Sequence, residues 1–321
     1  MEGSVTGQDE AGMRSIIIIS RSKPFILVMA VQLTFLVFVT PVSLRSFKAQ
    51  WPVLDKSIEA DRQSEVKQLL QNQLVEGEAI IWYLSHCGYA VKTKSALLIF
   101  DYWEKGRDGS DEDNPHPFSL ASGRINPEEI KELNVYVFVT HAHLNHYDQV
   151  IFEWKNKIKN ISYILGWRAK EDSNYRHLPG PRSELNIGGM QVSTINETHD
   201  GLSGVCYLVK VDGLCLYFSG DYGWAMSDSY KNDFDYVSTR TKSIDVAFLN
   251  PCYYQKDSIL VKLEIPSYFI QRFSPKIVFP QHYGGREELM AKFIDRTRED
   301  FPLIKFASPM QRGQRWRFEI K

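Results

Sequence analysis

The chain has 321 residues, 43% hydrophobic, 24% charged and 13% aromatic, the composition of a globular protein able to bury one large core or two modest ones. Lys and Arg number 38 against 39 Asp and Glu, a formal net charge of −1, and no long basic stripe appears, so nucleic acid is not an expected partner. The four cysteines, Cys87, Cys206, Cys215 and Cys252, are too few and too scattered for a disulfide scaffold, and none sits in a CxxC pair.

Residues 1–24 read as a polar tail. From Phe25 to Leu44 no residue is charged, and such a run is long enough to cross a hydrocarbon core of roughly 30 Å as a helix. Arg14, Arg21 and Lys23 precede it and Arg45 and Lys48 follow, so the basic bias is slight and sets no firm orientation. A cleaved signal peptide is the rival reading, with Ala49-Gln50 as an imperfect cleavage point. Both readings lead to the same expectation: a membrane-anchored or exported protein with its catalytic domain outside the cytoplasm. Residues 45–76 form a linker in which Val66, Leu69, Leu70 and Leu74 have helical spacing, predicting an amphipathic helix.

The main domain is expected over 77–321. Short β-rich runs open it at Ala79–Leu84, Tyr89–Lys92 and Ala96–Tyr102, broken at Cys87-Gly88 and Thr93–Ser95. A loop over Lys105–Asn126 follows. Val135–Thr140 is a continuous apolar strand, Tyr147–Ile158 a helix, and Ile161–Leu165 and Met190–Ile195 are further strands. Val205–Val211 and Leu214–Phe218 form a hairpin around Asp212-Gly213, which sets Cys215 opposite Lys210 and Cys206 opposite Ser219, so no bridge between the two thiols is expected. Val246–Leu249 and Ile277–Pro280 are short buried strands, with helices near Lys262–Phe273 and Arg286–Thr297. Strands first, then strands alternating with helices, predict an α/β fold with two sheets and outer helices.

The chemistry gathers where strands end. His141-Ala142-His143-Leu144-Asn145-His146 puts three histidines within six residues, directly after a buried strand. Neutral imidazoles are common ligands of zinc-like metals. His141 and His143, two apart in extended chain, can point to one side and share an ion, while a tight turn swings His146 toward a second. His199 follows the strand Met190–Ile195, Asp221 ends the Ser219-Gly220-Asp221 run, and His282 follows Ile277–Pro280. Singly, His199 or His282 reads as a surface histidine; together with the cluster, each reads as a ligand.

In this order, HxHxxH, a lone His, a Gly-Asp after a hairpin and a late His, the sequence resembles the metallo-β-lactamase superfamily from about Glu78 to the C-terminus. The Asp-Gly hairpin running into Ser-Gly-Asp resembles the branch of lactonase-like and phospholipase-D-like hydrolases. The resemblance implies a four-layer αββα sandwich with two metal ions, usually zinc. Carried over, His141, His143 and His199 would hold one ion, and His146, Asp221 and His282 the other, with Asp221 bridging. The family motif is HxHxDH, and here Asn145 stands for the carboxylate that ligates the second ion and orients the attacking water. Asp221 and Asn145 are the expected catalytic residues, and Zn2+ is expected tightly in one site and weakly in the other. His86, His177, Tyr222, Trp224 and Tyr283 are candidates for substrate contact, with His86 as plausible a structural residue of its turn. The expected activity is hydrolysis of an ester, lactone or phosphodiester bond in a small or lipid-like substrate. A non-catalytic metal-binding protein of the same fold is the alternative that Asn145 favours.

Overall fold

The apolar runs read from the sequence become strands whose side chains alternate between two cores. In the first sheet β1 (Glu78–Ser85), β2 (Gly88–Lys92) and β3 (Leu97–Phe100) form an antiparallel meander, extended in parallel by β4 (Asn134–Val139), β5 (Asn160–Leu165) and β6 (Tyr175–His177). The second sheet has the same plan: β7 (Glu184–Ile187), β8 (Met190–His199), β9 (Leu202–Val211) and β10 (Leu214–Phe218) are antiparallel neighbours. β11 (Val246–Leu249), β14 (Ile277–Pro280) and β15 (Lys305–Phe306) extend it in parallel, while β12 (Cys252–Gln255) and β13 (Ser258–Val261) pair separately. β16 (Arg315–Glu319) returns to pair antiparallel with β1.

This computed structural model describes residues 56–104, 118–199, 202–221, 226–255, 258–283, 287–309 and 311–320. The expected tail, the membrane or signal segment at 25–44 and most of the Lys105–Asn126 loop lie outside the described residues. Among the described residues no helix is long and apolar enough to cross a membrane.

Period-two alternation assigns the faces of the first sheet. Ala79, Ile81 and Tyr83 of β1 join Val192, Val209 and Leu216 of the second sheet in one core. Ile80, Trp82 and Leu84 turn the other way, onto Val66 and Leu70 of α1 (Lys56–Gln71) and onto Ile151 and Trp154. The larger core also takes in Phe234 and Val237 of α3 (Asp228–Arg240), Phe269 and Phe273 of α4 (Glu264–Phe273), and Leu289 and Phe293 of α5 (Glu287–Asp300); the remaining helix, α2 (Pro127–Ile130), is a single turn. The fold is thus mixed α/β with two sheets.

The structure departs from the sequence reading in several places. The segment expected as a helix at Tyr147–Ile158 is a 3-10 helix over Gln149–Asn156, capped by the Asp148 side chain. Its two buried residues, Ile151 and Trp154, are three apart and eclipse in a 3-10 turn, which commits both to the core. β8 continues to His199, so that residue ends a strand and does not follow one. The hairpin register is as expected, with Cys215 opposite Lys210, and Cys206 donates its thiol to the Ser219 carbonyl at 2.8 Å.

Candidate metal centre

Parallel strands collect ligands at their carboxyl ends, because that edge gathers loops from several strands at once. Here Asp101 follows β3, Thr140 and His141 follow β4, Ser219 and Asp221 follow β10, Asn250 follows β11, and Gln281 and His282 follow β14. The β1–β2 turn adds His86 and Cys87. The Thr140 carbonyl accepts from Val205 N at 3.1 Å, tying the two sheets together beside the site. Gly166 has to be glycine, since a Cβ there would lie 1.9 Å from the Thr140 oxygen.

Three site residues adopt left-handed backbone without being glycine: His86 at φ 47°, Asp101 at 42° and His282 at 61°. Each such residue costs of order 1–3 kcal/mol and persists where the surroundings over-determine it. Asp101 N donates to Phe138 O at 2.9 Å and His282 N to His86 O at 3.3 Å, which is the kind of restraint required.

Asp101, 1% exposed, anchors the histidine motif. Its carboxylate accepts from Thr140 N at 2.8 Å, Thr140 Oγ1 at 2.8 Å and His146 Nδ1 at 2.7 Å. With Nδ1 donating, His146 must turn a lone pair outward at Nε2 when neutral. That Nε2 lies 3.3 Å from Asp221 Oδ2, and the same oxygen lies 3.1 Å from His282 Nε2 and 3.9 Å from His141 Nε2. Asn250 Nδ2 donates to the other oxygen, Oδ1, at 3.1 Å and so keeps Oδ2 turned toward the histidines.

Two acceptors, a neutral imidazole nitrogen and a carboxylate oxygen, do not sit 3.3 Å apart without a cation between them. A metal ion or a proton can serve as that cation. Burial opposes charge on His146, yet the Asp221 and Asp101 carboxylates hold the imidazolium well above the usual histidine range, while burial pushes the Cys87 thiol beside it up to about 12, so the sulfur adds to this only when ionised. Burial likewise works against the Asp221 carboxylate, but His282 and His146 overcome it and push the acid well below its usual range. Burial, joined by the neighbouring charges of His282 and His146, drives His86 well below the usual range.

The donors fall into two groups. His141, His143 and Asp221 bring one ligand atom each within 4.8 Å of one another, and so do His86, Cys87, His146 and His282. A tetrahedral zinc with bonds of about 2.0–2.3 Å spaces its ligand atoms roughly 3.3–3.6 Å apart. His141 Nε2 lies 2.9 Å from His143 Nδ1, and Cys87 Sγ lies 3.8 Å from His146 Nε2, so both groups fit a metal ion with small adjustments.

Of the residues singled out from the sequence, His141, His143, His146, Asp221 and His282 therefore converge. His86 joins them inside the cluster, where a contact at a substrate cleft had been expected. Asn145 Nδ2 lies 3.0 Å from His86 Nε2. Two candidates for substrate contact serve the fold. His177 places one ring nitrogen 3.1 Å from the Trp167 carbonyl and the other 2.7 Å from that of Lys170. Tyr283, 1% exposed, stacks on Tyr83 and donates its hydroxyl to the Pro309 carbonyl at 3.0 Å. The His199 side chain, Tyr222 and Trp224 lie outside the described residues. Sequence reasoning missed Asp101, Asn250 and Cys87. The first two carried the signal that revealed the histidines, a polar residue directly after an apolar strand.

The model of the beta-lactamase superfamily domain matches residues 80–282. The chain belongs to this superfamily. Among solved structures it is similar to Igni18, a metallo hydrolase from Ignicoccus hospitalis, at 16% identity and a TM-score of 0.53, covering 76% of this chain and 100% of that one. It is also similar to the metallo-beta-lactamase fold protein YhfI from Bacillus subtilis, at 11% identity and a TM-score of 0.50, covering 75% of this chain and 99% of that one. At such identities the likeness is one of fold. No relative is found among curated protein sequences.

Proposed function

We propose that this protein is a metal-dependent hydrolase acting on an ester, lactone or phosphodiester bond of a small or lipid-like substrate, with zinc as its metal. The observation that carries the reading is the approach of His141, His146 and His282 to a single oxygen, Asp221 Oδ2, at 3.1 to 3.9 Å, while Asp101 already takes the far nitrogen of His146. Zinc ions bound there would supply Lewis acidity and lower the pKa of water toward neutrality. His141 and His143, with His199, would hold one ion, and His146 and His282 the other, with Asp221 shared between them. Asp101 fixes the His146 tautomer, and Asn250 holds the Asp221 carboxylate so that Oδ2 faces the reacting side. Leu144, within the histidine motif and 70% exposed, offers an apolar contact beside the site, which suits a lipid-like substrate. The uncharged run at 25–44 supports a membrane-anchored or exported location with this domain outside the cytoplasm.

Asn145 supports a second reading, a metal-binding protein of the same fold that does not catalyse. The full chain, purified in detergent and assayed for bound metal, should contain zinc and turn over one class among phosphodiesters, lactones and phospholipids, with loss of turnover on chelation. A chain that binds no transition metal overturns both readings. Stoichiometric metal without turnover on any of the three classes selects the second.

A further inference from the structure

We infer that His86 and Cys87 are ligands of the second metal ion, joining His146, His282 and the shared Asp221 around it. The inference rests on the metal-centre reading above and specifies its donor set. His86, Cys87, His146 and His282 are all buried, and each brings a ligand atom within 4.8 Å of the other three. Cys87 Sγ is 3.8 Å from His146 Nε2, against the roughly 3.6 Å that a tetrahedral zinc sets between a nitrogen and a sulfur ligand. The rings of His86 and His282 are 4.6 Å apart.

His86 supplies the independent sign. It is 4% exposed, and its Nδ1 is buried with no hydrogen-bond partner. An unpaired buried nitrogen is costly in a finished core and is what a ligand looks like before its ion arrives. The other ring nitrogen is engaged by the Asn145 carboxamide at 3.0 Å. Histidines that ligate through one nitrogen commonly have the other held by a hydrogen-bonding group, and a half-turn of the amide presents the Asn145 oxygen to His86 Nε2–H. Asn145, in place of the family's ligating carboxylate, thus becomes the residue that orients a ligand. The negative charge missing at 145 would return when a bound ion displaces the proton of the Cys87 thiol.

The bland reading of Cys87 is a small hydrophobe in the core, the usual role of a buried cysteine. Cys206 fits that description, with its thiol donated to a backbone carbonyl at 2.8 Å. Cys87 faces an imidazole nitrogen in a group of metal donors.

Cobalt distinguishes the two, because a Co2+–thiolate bond absorbs in the near ultraviolet by charge transfer and a site of nitrogens and oxygens does not. The full chain, stripped by chelator and titrated with Co2+, should develop this band on filling one of two sites. Cys87→Ser should abolish the band, while Cys206→Ser and Cys215→Ser keep it. X-ray absorption of the zinc-loaded chain needs no variant and should show one sulfur neighbour at about 2.3 Å. Two bound ions with no charge-transfer band and no sulfur neighbour overturn the inference, as does a band that survives Cys87→Ser. Either result leaves the hydrolase reading intact, since that one falls if the chain binds no transition metal or if the loaded chain turns over no substrate.

Discussion

Asp101→Asn changes one atom of a side chain that touches no substrate, yet it should cost the protein its second metal ion. In the native chain Oδ1 accepts from Thr140 N, and Oδ2 accepts from Thr140 Oγ1 and His146 Nδ1, all at 2.7–2.8 Å. An asparagine can keep an oxygen toward Thr140 N only by turning its NH2 group onto the other two. The Thr140 hydroxyl can reverse and accept, whereas His146 can accept at Nδ1 only by moving its proton to Nε2. That proton then occupies the lone pair aimed at Asp221 and the metal. Loss of a hydrogen-bond partner behind a metal-bound histidine typically costs about 10–100-fold in affinity, or roughly 1.4–2.7 kcal/mol. Competition against a chromophoric chelator should show a drop of this size confined to one ion. Thr140→Val removes the hydroxyl that sits 2.8 Å from Asp101 Oδ2 and 3.0 Å from His141 Nδ1 without forcing the His146 tautomer, so its cost should fall on the first ion and not on the second. If both ions bind Asp101→Asn as tightly as the native chain, the tautomer argument is wrong.

Two other perturbations test the centre from different sides. Replacing His141 or His143 by Ala should empty the first site and lower hydrolysis by orders of magnitude, since the remaining ligands cannot enclose an ion; full metal content in both variants, measured by mass spectrometry, would sink the assignment. Stability of the chelator-treated chain should also depend on pH: burial opposes the His146 charge, but the Asp221 and Asp101 carboxylates raise its folded value overall, so its contribution is fully present below the unfolded value of about 6.5 and is lost as pH rises toward the folded value. The melting temperature of this apoprotein should therefore fall above about pH 6.5, and His146→Gln should flatten the profile; a slope that His146→Gln leaves unchanged would contradict the assignment.

The parts of the fold that could be read in advance are those with one strong local determinant. β4, β11 and β14 are short runs that bury nearly every residue, and no polar alternation competes with that signal. Asp212 and Gly213 both adopt positive φ, at 46° and 77°, as the hairpin turn between two apolar strands requires. α3 was hidden because its sequence is largely polar, although Tyr230, Phe234 and Val237 are buried. β16, reading Arg-Trp-Arg-Phe-Glu, becomes a strand through its pairing with β1, more than 200 residues earlier in the chain. The centre divides in the same way. His141, His143, His146, Asp221 and His282 announce themselves as polar residues at strand ends. Asp101 acts only through contacts with Thr140 and His146, 39 and 45 residues away in sequence. Cys87, lacking a CxxC partner, carries no metal signal until folding brings three histidines around it.

Those last two residues change what Asn145 means. Taken within its own motif, a neutral amide leaves the second ion short of a negative charge and predicts a weak site. In the folded chain the amide lies 3.0 Å from His86, and the residue after His86 is a cysteine whose sulfur lies 3.8 Å from His146. If the Cys87 thiolate supplies the missing charge, the two positions are alternatives, and a double-mutant cycle reveals it. Cys87→Ala alone should weaken the second ion by about 100-fold or more, since a charged ligand is lost inside a buried site. Asn145→Asp alone should change little, because the site already carries its charge. Asn145→Asp placed in the Cys87→Ala background should recover at least about tenfold, a coupling of roughly 1.4 kcal/mol, within the range expected for residues that share a partner. Metal titrations of the four chains measure every corner of the cycle. Strictly additive effects would mean that Cys87 and Asn145 serve different ions or none, and a large gain from Asn145→Asp alone would restore the weak-site reading.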